Sequence, residues 1–420
     1  MKIKVTYKPY SEVLAMKQPA HKKPLLQGRF WRFIIDRFSA KELKETDFSY
    51  TMNGMLRLGK HEPALILMNH SSFTDLQIIG KLFSDRPYNI VCTNDGFVGK
   101  EWLMRAIGCI PTRKFIPEAT LVKDMNFALH TLHSSVVMYP EASYSFDGTE
   151  TPLPESLGKC VKLLKVPVIM VKTDGAFLRD PLYNNLQKRK VKVSADVTYL
   201  LSPDEIAAKS AAEINGILAE AFRYDHFAAQ HRKGVLVNEP FRADGLERVL
   251  YKCPCCGSEG TLSGKGITIK CSACGETHEL CEDGTLQNLT AETTRFRYVP
   301  DWYRWERECV RSEIENGSYC LEADVDILTL VDFKSMYRVG SGHLRHDCSG
   351  FTLKGCEGAL EYTQKPTASY GLYADYYWYE IGDMISIGDT RMQYYCFPSK
   401  GSAINVAKAR LAAEEMFKMG

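Results

Sequence analysis

Between residues 60 and 200, five short apolar runs alternate with segments of helical spacing, and this alternation limits the fold more than any other feature. The runs are "ALILM" (64–68), "YNIVC" (88–92), "SVVMY" (135–139), "VPVIMVK" (166–172) and "KVSADVTYL" (192–200), rich in branched residues and of strand length. Segments such as "EWLMRAIG" and "ATLVKDMNFALHTLH" lie between them and repeat apolar residues at helical intervals. Such alternation predicts an α/β domain, a mixed sheet flanked by helices. A helical stretch, "PDEIAAKSAAEINGILAEAFRYDHFAAQHR", closes it, so the expected domain spans 1–245.

The remainder changes character twice. Residues 246–290 are rich in Gly and Cys with short strands. Residues 291–420 open with a helix from Pro300 to near Gly317, followed by "DVDILTLV", "GFTLKG", "ALEYT", "SYGLYADYYWYEI" and "RMQYYCF". A last helix runs from a Ser402 cap, with Val406, Ala409, Ala413 and Met416 on one face. Six or so strands closed by one helix resemble a pleckstrin-homology or GRAM-like domain, so a mainly-β domain is expected there. No internal repeat or low-complexity tract is evident.

"CPCCGSEGTLSGKGITIKCSACG" pairs Cys253 with Cys256 and Cys271 with Cys274, each pair followed by glycine. Two such knuckles joined by a hairpin form the pattern of a zinc ribbon, whose four thiolates close a tetrahedral shell around a structural Zn²⁺. Cys255 lies inside the first knuckle as a competing ligand, but the paired spacing favours Cys253 and Cys256. Residues 246–290 hold 4 Lys+Arg against 6 Asp+Glu, so the ribbon lacks the basic face of a nucleic-acid module. It is expected to be a scaffold or interaction module, and no redox cofactor is implied. The other cysteines of the 14 are expected as buried thiols rather than bridges.

Charge adds one asymmetry. The chain's 420 residues carry a net charge of +2, but residues 1–60 hold 13 Lys+Arg against 5 Asp+Glu. Within them "GRFWRFIIDRFSAKEL" sets Phe30, Ile34 and Phe38 at four-residue intervals, flanked by Arg29, Arg32 and Arg37. Two readings stay open: a helix lying in an anionic membrane interface, or one packed on its own domain. No apolar run approaches the roughly 20 residues of a membrane span, and the N-terminus lacks a secretory apolar core. The expectation is a cytoplasmic protein, peripheral on the cytoplasmic face of the membrane.

The candidate chemistry sits in "LILMNHSSFTDLQIIG" (65–80), where His70 and Asp75 follow the first buried strand. The carboxyl end of a strand is where α/β sheets collect their sites. An aspartate bonded to one imidazole nitrogen fixes the tautomer and leaves the other nitrogen to act as a base. No serine or cysteine stands in a nucleophile elbow, so direct attack by an activated substrate hydroxyl is expected. Three blocks follow in order: "GKEWLMRAIGCIPTRK" (99–114), "VVMYPEASYSFDG" (136–148) and "KVPVIMVK" (165–172). His130 and His133, spaced H-x-x-H, are expected to be surface or partly buried histidines rather than metal ligands.

Together these blocks resemble the four motifs of the glycerolipid acyltransferase family, which includes 1-acylglycerol-3-phosphate acyltransferases, over roughly residues 30–215. The resemblance implies His70 as general base and Asp75 as its orienting partner. It implies Arg113 on the acceptor's phosphate, Glu141 positioning the acceptor, and Ser143 at the family's threonine position among the substrate-binding residues. Pro167 and Val168 would line the wall near the acyl donor. The donor would be a fatty acyl thioester on CoA or on acyl carrier protein, and the acceptor a lysophospholipid. One departure is plain: the family's E-G-T-R-S reads "EASYS" here, with Tyr144 in place of arginine. Arg113, Lys100 or Lys114 would then neutralise the headgroup. The altered block also leaves open a non-catalytic lipid- or protein-binding adaptor built on an acyltransferase-like shell.

Overall fold

The computed structural model describes residues 2–399 and 404–420. Its first unit has strands β1 (Val5–Tyr7), β2 (Ser49–Asn53), β3 (Leu65–Met68), β4 (Tyr88–Thr93), β5 (Cys109–Thr112), β6 (Ser135–Met138), β7 (Val168–Asp174) and β8 (Ser194–Leu201). Seven of these form one mixed sheet in the order β2–β8–β7–β3–β6–β4–β5. The β3 neighbours β6 and β7 run parallel to it, whereas β7 and β8 are antiparallel. All five expected runs are strands. The two the sequence reading missed, β2 and β5, are the sheet edges.

Alternation along β3 shows how the sheet is buried on both sides. Ile66 and Met68 enter one core with Leu43, Ile78 and Ile79. Leu65 and Leu67 enter the other with Met125, Val161 and Leu218. All four β3 side chains are fully buried, each contributing about 1.5–3 kcal/mol relative to exposure. The first face is covered by α2 (Arg29–Lys44) and α3 (Asp75–Leu82), after the short α1 (Tyr10–Leu14). These helices meet closely at Gly80, where an added Cβ would lie 2.5 Å from Ser39 Oγ and 2.7 Å from Ile35 Cγ2. Next come α4 (Glu101–Ala106), α5 (Ala119–His130), α6 (Leu157–Leu164) and α7 (Ala176–Arg179).

Thus α2 does pack on its own domain, burying Ser39 and Leu43. Phe30, Phe33 and Phe38 nevertheless remain 66%, 56% and 71% exposed. No helix among the described residues is long and apolar enough to cross a membrane. The closing stretch is three helices rather than one: α8 (Pro203–Ala208), α9 (Ala211–Ala221) and α10 (His226–Arg232). Capping boxes at Ser202/Glu205 and Ser210/Glu213 restart the chain, and Asp225 caps the third helix.

Residues 262–288 form a four-stranded antiparallel sheet, β9 (Leu262–Lys265), β10 (Thr268–Cys271), β11 (Thr277–Leu280) and β12 (Leu286–Asn288). Helix α11 (Val299–Glu315) leads from it into the mainly-β unit. That unit has seven strands: β13 (Cys320–Thr329), β14 (Met336–Asp347), β15 (Gly350–Gly355), β16 (Leu360–Gln364), β17 (Tyr373–Trp378), β18 (Gly382–Gly388) and β19 (Gln393–Pro398). They are ordered β16–β15–β14–β13–β19–β18–β17 and closed by α12 (Val406–Met419). The expected Ser402 cap lies outside the described residues; Asn405 caps α12 by accepting from the Lys408 N–H.

One element crosses the expected layout. Strand β1 pairs in parallel with β14, so the N-terminal strand belongs to the C-terminal sheet. Three exposed residues give no sequence signal for such a partner.

Candidate active site

Met68 ends β3, and the chain turns through Asn69–Thr74 into α3, whose first residue is Asp75. Asn69 is buried beneath the turn and accepts from the Thr173 N–H, tying it to β7 (2.8 Å). His70 Nδ1 lies 3.0 Å from Asp75 Oδ2, the same oxygen that accepts from the Ser71 and Ser72 N–H groups. Three donors on one oxygen fix the carboxylate and set the imidazole with Nδ1 inward, which leaves Nε2 for chemistry. Ser71 Oγ is in turn 3.2 Å from Nε2 of the buried His226. Burial holds His70 well below the usual histidine range, and the Lys114 charge pushes the same way. Burial pushes the Asp75 carboxyl up, against the Ser71 and Ser72 donors.

The loop after β6 wraps His70 from its other sides. Glu141 Oε2 accepts from the His70 N–H (2.8 Å), and the Ser145 N–H donates to the His70 carbonyl (3.0 Å). Both faces of the imidazole carry aromatic rings, Tyr144 at 3.8 Å and Tyr139 at 4.3 Å between centroids. Phe73 stacks on Tyr144 and stays 43% exposed. Ala142, at the position of the family's glycine, holds a φ of 55°, the left-handed region that a side chain disfavours.

The remaining expected site residues are distributed differently. Glu141 is buried and its Oε1 accepts from the Thr151 N–H and Tyr224 hydroxyl, so both oxygens brace protein groups. Burial pushes its carboxyl up to about 7. Arg113 is ion-paired with Glu118, which also accepts from the Arg113 N–H. Ser143 is buried and receives Arg410 Nη1 at 3.3 Å. Lys100 is half-buried at the N-terminus of α4. Lys114 lies nearer the imidazole, its Nζ 5.9 Å from the Tyr144 ring and 4.4 Å from the Tyr373 ring. Val168 pairs with Leu65 at the start of β3, so Pro167 and Val168 lie at the end of the strand away from the His70 turn.

The C-terminal unit reaches this face of the sheet. Tyr370 donates to the Pro140 carbonyl (3.3 Å), and the Tyr373 hydroxyl and Trp378 Nε1 both reach Asp95 Oδ2. Sequence reasoning missed these residues together with Tyr139, His226 and Arg410. Only Tyr144 carried a signal, as a departure from the family's block.

Cys253, Cys256, Cys271 and Cys274 converge, with all four sulfurs within 4.8 Å of one another. The Cys253–Cys274 and Cys256–Cys271 Sγ separations are 3.7 and 3.8 Å. A tetrahedron with metal–sulfur bonds of about 2.3 Å has edges of about 3.8 Å, so the donor set fits one ion. Cys255 also lies within 4.8 Å of Cys274 and Glu276. All fourteen cysteines are free thiols; Cys109 and Cys396 are buried as expected, whereas Cys320 and Cys348 are exposed. His130 and His133 are exposed, with His130 Nε2 at 2.8 Å from the Leu164 carbonyl.

Residues 49–172 match the family model described as Acyltransferase, a segment that holds His70, Asp75, Arg113 and Glu141. Among solved structures, the chain is similar to the 1-acyl-sn-glycerophosphate acyltransferase PlsC from Thermotoga maritima, at 15% identity and a TM-score of 0.36. That similarity covers 46% of this chain and 76% of the other. No curated protein matches.

Proposed function

We propose that this chain, which contains an acyltransferase-family domain over residues 49–172, transfers a fatty acyl group from a CoA or acyl-carrier-protein thioester to a lysophospholipid hydroxyl. The observation that carries this reading is the His70–Asp75 pair at the carboxyl end of a central strand, inside the matched segment. His70 Nε2 removes the hydroxyl proton as the alkoxide attacks the thioester carbonyl carbon. The tetrahedral oxyanion collapses, the carbon–sulfur bond breaks, and the thiolate leaves, to be protonated by the imidazolium. Asp75 holds the tautomer and offsets the imidazolium charge, while Glu141 fixes the His70 backbone. Asp75 Oδ1 and the Tyr139 hydroxyl, both buried without a hydrogen-bond partner among the described residues, offer polar capacity beside the base.

The half-exposed Phe73 and Leu76 form an apolar rim that suits an acyl chain. The exposed phenylalanines of α2, with Trp102 at 70% exposure and Arg29, Arg37 and Lys41 around them, suit docking on an anionic leaflet. This would make the protein peripheral on the cytoplasmic face of a membrane. The Cys₄ cluster would hold Zn²⁺ as a structural ion, without a part in transfer. The C-terminal unit, with seven strands closed by a helix, keeps the pleckstrin-homology-like reading.

A second reading, a lipid-binding adaptor without turnover, is favoured by the rings covering both faces of His70. A transfer assay with a lysolipid panel and both thioester types separates the two. Thiol release with any acceptor supports the enzyme; lipid binding without thiol release for every pair supports the adaptor.

A further inference from the structure

The C-terminal helix is far in sequence from His70, yet it touches the loop that wraps His70. Arg410 of α12 is 3% exposed. Its Nη1 donates to the Tyr144 carbonyl (3.1 Å) and to Ser143 Oγ (3.3 Å), its Nε reaches Glu414 (3.0 Å), and its guanidinium lies 4.3 Å from the Phe146 ring. The peptide it holds is the middle of the loop whose two ends bond the His70 N–H and carbonyl, and whose Tyr144 ring lies on the imidazole. The helix is itself fixed from two sides. Arg307 and Arg311 of α11 reach Glu414 and Glu415 at 2.6–2.9 Å. Lys408 reaches Glu259 beside the cysteine cluster (2.7 Å) and Glu313 (2.8 Å).

Resting on the transfer reading above, we propose that Arg410 is a positioning residue for His70. By gripping the Ser143 hydroxyl and the Tyr144 carbonyl from the C-terminal helix, it keeps the Tyr144 ring on the imidazole and makes the C-terminal unit part of the transfer machinery. A buried guanidinium with four engaged partners is rigid, and a ring stacked at 3.8 Å restricts rotation of the imidazole beneath it. The base then meets its substrate hydroxyl in one orientation, and small misplacements of such a group cost large factors in rate.

The test uses the full chain and four variants: R410Q, R410K, Y144A and R410Q/Y144A. Transfer from oleoyl-CoA to 1-oleoyl-lysophosphatidate is measured together with the His70 ring resonances by ¹H–¹³C NMR. R410Q is expected to lower kcat about tenfold with KM for oleoyl-CoA within about twofold, and R410K, which keeps one donor, to fall between. Y144A should show the same loss and the double variant no more than either, because both act through one contact. The His70 resonance should lose the ring-current shift of Tyr144 in R410Q as well as in Y144A. Wild-type kcat in R410Q, multiplying losses in the double variant, or a rise in kcat that marks Tyr144 as a block would each overturn the proposal. If R410Q does not fold, R410K and Y144A carry the comparison: a His70 resonance and kcat unchanged in R410K overturn the proposal. If the wild-type protein releases no CoA, the transfer reading fails on its own, and the proposal is then decided by NMR: an unmoved His70 resonance in R410Q overturns the positioning role.

Discussion

His70 is held on every side by its surroundings. Asp75 fixes Nδ1, Glu141 and Ser145 fix the backbone on either side, and Tyr139 and Tyr144 cover the faces. Lys114 adds a positive charge that disfavours the protonated form. A general base works deprotonated, so kcat/KM should rise with pH along an acid limb belonging to the His70–Asp75 pair. Removing a neighbouring cation stabilises the protonated form, so Lys114→Met should move that limb to higher pH; movement to lower pH would contradict this account. The Asp75 contact was legible because it lies five residues from His70, across a single turn. Glu141 was found from its block, but its inward orientation was not, since a buried brace and a substrate ligand look alike in sequence. Arg410 gave no signal at all: its partners in the loop around His70 are more than 260 residues away.

At the scale of elements, apolar periodicity found the interior strands of the sheet and missed its two edges. Strand β2 reads "SYTMN" and all five residues are exposed; β5 reads "CIPT" and carries Pro111, tolerated at a sheet edge. Neither offers a continuous apolar run. In the closing stretch, S-P-D-E and S-A-A-E each form a capping box that starts a new helix. Ser202→Ala and Ser210→Ala should each destabilise the first unit by about 1 kcal/mol, read as a shift of its urea midpoint. Helix α2 packs one face on α3 and leaves its phenylalanines outward. Replacing Phe30, Phe33 and Phe38 together with serine should weaken binding to vesicles containing phosphatidylglycerol at least tenfold in sedimentation. Unchanged sedimentation would remove α2 from membrane docking.

Across the whole molecule, the cross-links between segments distant in the chain are what sequence could not reveal. The N-terminal strand joins the last sheet, and α12 touches the loop around His70, α11 and Glu259 beside the cysteines. Long-range pairing of this kind leaves no local pattern to read. It has a consequence for the cysteine cluster. The purified protein should contain one zinc per chain, and a C253S/C256S variant should lose it together with several degrees of Tm for the full chain. Retained zinc in that variant would exclude the Cys₄ assignment, and an unchanged Tm would show that the ribbon does not brace its neighbours.

The central claim is that His70 is the base of an acyl transfer, and single-turnover kinetics test it most directly. Wild-type protein and H70A, matched for folding by circular dichroism and for zinc content, are mixed with a radiolabelled acyl thioester and a lysophospholipid that the wild-type protein accepts. The account predicts a loss of about 10²–10⁴-fold in the transfer rate of H70A with its fold intact. Transfer by H70A at the wild-type rate would contradict it.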